Sequence, residues 1–93
     1  MIKGFKDKRT EQLFLTSKAR GLSTEIIDRA RRKLMMLNAA NSPDDLRVPP
    51  SNRLELLKGD RAGQYSIRIN DQWRICFRWL DGDALDVEIC DYH

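Results

Sequence analysis

No apolar run in the 93 residues approaches the roughly 18 that a membrane-spanning helix requires, so no membrane partner is expected. The opening Met1-Ile2-Lys3-Gly4-Phe5 has no apolar stretch behind its charge, which argues against a secretory signal. Cysteine is scarce, with Cys76 and Cys90 far apart, and His93 is the one histidine. That stock excludes a Cys/His zinc cluster and a disulfide-framed scaffold, and no metal or cofactor is expected. Both cysteines fall in strand-like segments, as expected of a reduced, cytoplasmic protein. Repeats, low-complexity tracts and long linkers are missing too. Residues 1–93 therefore read as one domain with a thin, two-layer core.

What is present is charge, unevenly spread. The net charge is +3, yet residues 1–40 hold ten Lys/Arg against four Asp/Glu, and residues 41–93 hold seven against ten. A basic half suits a polyanionic partner, nucleic acid or an acidic protein; it also suits a solvated helix face.

The hydrophobic period divides the chain in the same way. Residues 2–5 read as a short strand. Residues 8–17 read as a weak helix anchored by Leu13 and Phe14, with Gly21 beyond it as a breaker. Ser23 caps a stronger helix in which Ile26, Ile27, Ala30, Leu34 and Leu37 form one apolar face, widened by Met35 and Met36. Ser42-Pro43-Asp44-Asp45 reads as the cap and first turn of a short helical piece. From Arg53 the period becomes two, predicting strands over 53–57, 64–70, 72–80 and 84–92, with Asp81-Gly82-Asp83 as a tight hairpin. Tyr65, Ile67, Ile69, Trp73, Ile75, Phe77, Trp79, Leu85, Val87 and Ile89 then share one face. Short connections favour antiparallel neighbours. The expected architecture is α+β: N-terminal helices packed on one face of a twisted antiparallel sheet of about four strands, the other face polar and open.

The same alternation places Arg53, Glu55, Ser66, Arg68, Arg74, Arg78, Asp86, Glu88 and Tyr92 on the open face, provided that no β-bulge intervenes. Cross-strand ion pairing of Arg68, Arg74 or Arg78 with Asp86 or Glu88 accounts for such a face without any activity. A functional account also exists. Arginines hold phosphate bidentately, so Arg53, Arg68 and Arg78 read as RNA contacts. RNA carries its own nucleophile, the 2′-OH. Its cleavage needs a base, an acid and positive charge on the developing phosphorane, without a metal. Glu55, His93 and Arg74 are one candidate of each kind.

A family resemblance rests on particular residues. They are Asn52-Arg53-Leu54-Glu55-Leu56-Leu57-Lys58-Gly59, then Gly63-Gln64-Tyr65-Ser66-Ile67-Arg68-Ile69-Asn70, then Gln72-Trp73-Arg74-Ile75-Cys76-Phe77, and the closing Asp91-Tyr92-His93. Together with the opening Met1-Ile2-Lys3-Gly4-Phe5, they resemble the HigB toxins, also called plasmid-maintenance killer proteins, of the RelE/ParE superfamily. The resemblance covers nearly the whole chain, and Ser-Ile-x-x-Asn-x-x-Trp-Arg combined with a terminal Asp-Tyr-His is its most specific part. It implies a compact RelE/ParE-like domain. It also implies a ribosome-dependent endoribonuclease that cuts mRNA in the ribosomal A site by 2′-OH attack. A neutralising helix-turn-helix antitoxin, HigA-like and encoded alongside, would carry the complex to operator DNA.

Residue by residue, the resemblance marks Asp91, Tyr92, His93, Arg74 and Lys58 as site residues. Arg74 and Lys58 would neutralise the scissile phosphate, His93 would be acid or base, Tyr92 would stack on or hydrogen-bond the RNA, and Asp91 would orient His93 or cap the site. One departure stands out: many members of the family have His where this chain has Glu55. Glu55 is either the general base paired with His93 as acid, or a charge that weakens the phosphate pocket and the nuclease. In the basic half, Lys3, Lys6, Lys8, Arg9, Arg29, Arg31, Arg32 and Lys33 would contact ribosomal RNA phosphates. Two other readings remain: a ParE-like toxin that binds gyrase or another protein without cutting RNA, and an inert interaction domain.

Overall fold

The computed structural model describes residues 1–91, so Tyr92 and His93 lie outside the described residues. Helix α1 (Lys8–Thr16) begins where the Asp7 carboxylate accepts from the Thr10 amide at 2.7 Å, and ends on Ser17 in the left-handed conformation. Helix α2 (Thr24–Ala39) starts at Ser23, whose hydroxyl accepts from the Ile26 amide at 3.2 Å. Ala30, Leu34 and Leu37 are fully buried, as the three- and four-residue spacing predicts. Met35 and Met36 do not join them: they are 55% and 37% exposed, so the apolar stripe is narrower than expected. After a capping box at Ser42, residues Pro43–Arg47 form a 3-10 turn, followed by a second over Pro50–Asn52.

Four strands follow: β1 (Glu55–Leu56), β2 (Tyr65–Arg68), β3 (Trp73–Leu80) and β4 (Asp83–Asp91). They form an antiparallel meander in the order β1-β2-β3-β4. β1 is shorter than the predicted 53–57 because Arg53, capping the preceding 3-10 turn, sits at φ 46° and cannot continue a strand backwards. β2 stops short of Asn70 because that side chain turns the corner, accepting from the Gln72 and Trp73 amides at 2.9 and 2.7 Å.

A β-bulge revises β4. The register jumps between the Cys76↔Glu88 and Arg78↔Leu85 pairs, and Asp86 takes up the extra residue at φ 50°. The inward set is therefore Ala84, Val87 and Ile89, and Leu85 turns away from the core face. Alternation alone, which groups Leu85 with Val87 and Ile89, is corrected at that one residue.

The outer edge of β4 is closed. Ile2 and Phe5 bridge to Ala84 and Val87 in parallel, with the Lys3 and Lys6 amides donating to the Ala84 and Val87 carbonyls at 2.9 Å. The next outward amide, Ile89, donates to the Thr10 hydroxyl of α1 at 3.0 Å. Thr10 is fully buried for that purpose. The helices cover one sheet face, and their Leu13, Ala30, Leu34 and Leu37 meet Ile67, Ile75, Phe77, Val87 and Ile89 in the main core.

Candidate active face of the sheet

The face turned away from the helices carries two cross-strand rows. Glu55, Ser66, Cys76 and Glu88 stand opposite one another from β1 to β4, and Arg68, Arg74 and Cys90 form the next row. The expected open polar surface is partly closed. Ser66 and Cys76 are fully buried, and Leu57, Cys76 and Cys90 form a small second apolar cluster there. Arg61, in the 3-10 turn Gly59–Arg61 between β1 and β2, reaches across β3: it donates to Gln64 Oε1 at 3.1 Å and Glu88 Oε2 at 3.3 Å. Lys6 approaches the same Glu88 oxygen from the β4 edge at 3.4 Å.

Arg74 is the best-held cation of this face and is only 7% exposed. Its Nε donates to the Ser66 hydroxyl at 2.8 Å, and one terminal nitrogen donates to the Arg53 carbonyl at 2.7 Å. The Glu55 carboxylate lies 3.6 Å from that nitrogen and is itself half exposed. The left-handed turn at Arg53 aims its carbonyl at Arg74, so the kink that shortens β1 also builds the site. A guanidinium fixed on several sides is a preorganised positive charge beside a solvent-reachable carboxylate.

Not every site residue expected from the sequence gathers here. Lys58 and Arg53 are exposed at the β1 margin. Arg78 pairs with Asp86 at 3.6 Å, and Arg68 pairs with Asp71. Asp91 opposes Trp73, which puts it on the other side of the sheet from Arg74, and it accepts from Gln72 Nε2 at 3.1 Å. Tyr92 and His93 lie outside the described residues. Alternation suggested no role for Arg61, because a residue in a turn has no strand period to reveal it; the only sequence signal was the Lys58-Gly59-Asp60 turn beside it, and Gln64, read as the first residue of a strand, was given no role.

The basic residues of the helical half divide. Lys6 pairs with Glu88, and Arg9 lies over the Trp73 ring at 5.5 Å. Lys33 hydrogen-bonds to the buried Asn52. Burial holds the Lys33 ammonium below the usual lysine range, and the positive charges of Arg29 and Arg68 add to the effect. Arg31 and Arg32 line a shallow cavity of about 270 Å³ with Ser17, Asp28 and Met35, and Arg29 and Arg32 line a second of about 180 Å³ with Lys33 and Met36. Both cavities lie along α2.

The fold has solved counterparts. The toxin–antitoxin complex YoeB–YefM from Staphylococcus aureus contains a chain that superposes with a TM-score of 0.63 at 16% identity, covering 100% of this chain and 98% of that one. A mutant of YafQ from E. coli superposes with a TM-score of 0.61 at 10% identity, covering 98% and 93%. The architecture is thus the compact α+β fold of the RelE/YoeB type. Sequence narrows the class. Residues 3–93 match the model of the HigB-like toxin family, described as the RelE-like toxin of the type II toxin–antitoxin system HigB. Toxin HigB-1 of Vibrio cholerae serotype O1 is 47% identical over 84 residues, 89% of this chain and 88% of its own. Endoribonuclease HigB of Proteus vulgaris is 36% identical over 93 residues, the full length of both. The chain belongs to the HigB-like toxin family of type II toxin–antitoxin systems. Membership implies a cognate antitoxin as partner. Among the described residues no helix is long and apolar enough to cross a membrane.

Proposed function

We propose that this chain is a ribosome-dependent endoribonuclease that cuts mRNA in the A site and so arrests translation and growth. The observation that carries the reading is the half-exposed Glu55 carboxylate 3.6 Å from the immobilised Arg74 guanidinium. The full-length likeness to a protein named as an endoribonuclease supports it. In this reading the Glu55 carboxylate takes the proton of the 2′-OH. The oxygen attacks the adjacent phosphorus, negative charge grows on the phosphorane, and Arg74 faces that charge without having to reorganise. Lys58 and Arg53, both exposed, touch the phosphates directly, with Arg68 and Arg78 further along the strand. His93 returns a proton to the leaving 5′-oxygen, and Tyr92 stacks on an unpaired base. Asp91, held by Gln72 at the end of β4, orients His93 or caps the site. The single domain acts with a HigA-like helix-turn-helix antitoxin that neutralises it and carries the complex to operator DNA.

The test is brief expression of wild type and His93→Ala from a tight promoter, with mRNA 5′ ends mapped during growth arrest. In-frame cuts with wild type that vanish with His93→Ala are expected. Arrest without cuts, equal in both proteins, overturns the nuclease and leaves a toxin that acts by binding gyrase or another protein.

A further inference from the structure

The second apolar cluster holds a feature that neither the sheet nor the proposed nuclease uses. Cys76 of β3 and Cys90 of β4 are diagonal neighbours on the same face, and their sulfurs are 3.0 Å apart, the Cys90 thiol donating to Cys76. Both are free thiols. They lie outside the main core, beside Leu57, in a layer that also holds charge: Arg61 bridges to Glu88, and Glu88 opposes Cys76. Cys76 is fully buried, whereas Cys90 keeps 7% exposure at the rim of the cluster.

From this geometry we propose that Cys76 and Cys90 are a modification site, a thiol pair that a hydroperoxide converts reversibly to a cross-strand disulfide. The sulfurs need to close by roughly 1 Å to reach the bond length of about 2.05 Å. The surroundings also distinguish the two thiols. The hydrogen bond from Cys90 holds Cys76 below the usual thiol range, with Arg61 and Arg74 acting the same way. Donating that bond pushes Cys90 up, and burial adds to it.

In the reaction, one sulfur of the pair attacks one peroxide oxygen as the thiolate. The O–O bond breaks, hydroxide leaves and takes up a proton to become water, and that cysteine is a sulfenic acid. The other thiol then gives up its proton and attacks that sulfur. The S–S bond forms, the S–O bond breaks, and a second water departs. Two thiols and one hydrogen peroxide give one disulfide and two waters, and the sulfur pair loses the two electrons that the peroxide gains. The product ties the strand carrying Arg74 to the strand entering the C-terminus.

The experiment treats the purified full chain with a modest molar excess of hydrogen peroxide, then denatures it, alkylates it and measures the intact mass. A monomer lighter by two hydrogens and closed to alkylation is expected, with both thiols recovered after dithiothreitol. Trypsin cuts after Arg74 and Arg78, so the bond is expected to join residues 75–78 to residues 79–93. Cys90→Ser and Cys76→Ser are each expected to give no such species. Wild type that keeps two alkylatable thiols overturns the proposal. So does oxidation that yields only sulfinic and sulfonic acids, or only chain-to-chain bonds. The mass readout is independent of RNA cleavage, so its outcome bears on the thiol pair alone.

Discussion

At the scale of single residues, the candidate site is built around a cation that barely touches solvent. Arg74 needs acceptors because a guanidinium taken from water without them costs several kcal/mol. Ser66 supplies one from its hydroxyl and the kinked Arg53 another from its carbonyl. Ser66→Ala keeps the strand and removes the Nε acceptor. The expected stability loss is about 1.5–3 kcal/mol, the usual worth of a hydrogen bond to a charged group. Cleavage by programmed ribosomes is expected to fall by roughly tenfold or more as Arg74 loosens. Full activity in Ser66→Ala would show that Arg74 is held well enough by the Arg53 carbonyl. Glu55 invites a sharper comparison. If its carboxylate is the base, Glu55→Gln lowers the cleavage rate by about a hundredfold or more, the usual scale of general-base catalysis. If its charge instead weakens the pocket, both Glu55→Gln and Glu55→His raise the rate. Two variants as active as wild type would place Glu55 outside the mechanism.

Among the elements, the sheet edge is the most exacting part of the design. The outward amides of β4 need acceptors. The N-terminal segment serves Ala84 and Val87 through the carbonyls of Met1 and Gly4, and Thr10 serves Ile89. Thr10→Val fills the same space and strands a buried N–H, which costs about 1–3 kcal/mol. Thr10→Ser, which keeps the acceptor, is expected to lose less. Urea unfolding of the two variants tests the assignment, and a Val variant as stable as wild type would mean that the Ile89 amide has another acceptor. Much of this architecture was legible beforehand. The caps at Ser23 and Ser42, the buried face of α2 and the inward residues of β2 and β3 follow from spacing and side-chain chemistry alone. The bulge at Asp86 was not legible, because no residue type requires a bulge there and a one-residue insertion leaves the local hydrophobic pattern intact. Arg61 and the thiol contact were illegible for a different reason. They depend on how far a turn reaches across the sheet, which no local period encodes.

For the whole molecule, the basic helix and the candidate site adjoin. Helix α2 packs on the core face of the sheet, and its Lys33 bonds to Asn52, next to the Arg53 whose carbonyl holds Arg74, in a body of 30 × 26 × 26 Å. The cations of the helical half differ in their engagement. Lys6, Arg9 and Lys33 are engaged with Glu88, Trp73 and Asn52, whereas Arg29 and Arg32 are exposed on α2. Arg29→Glu with Arg32→Glu is therefore expected to weaken ribosome association. It is also expected to flatten the slope of log affinity against log salt by about 1 per lost phosphate contact. Lys6→Glu is expected to act differently: it places two carboxylates together at β4, lowering stability while leaving the salt slope unchanged. Cosedimentation with ribosomes across a salt series separates the two. If the α2 variant keeps the wild-type slope, the basic helix does not touch ribosomal RNA. Its charge, and the exposed Met35 and Met36 beside it, would then belong to a protein-facing surface.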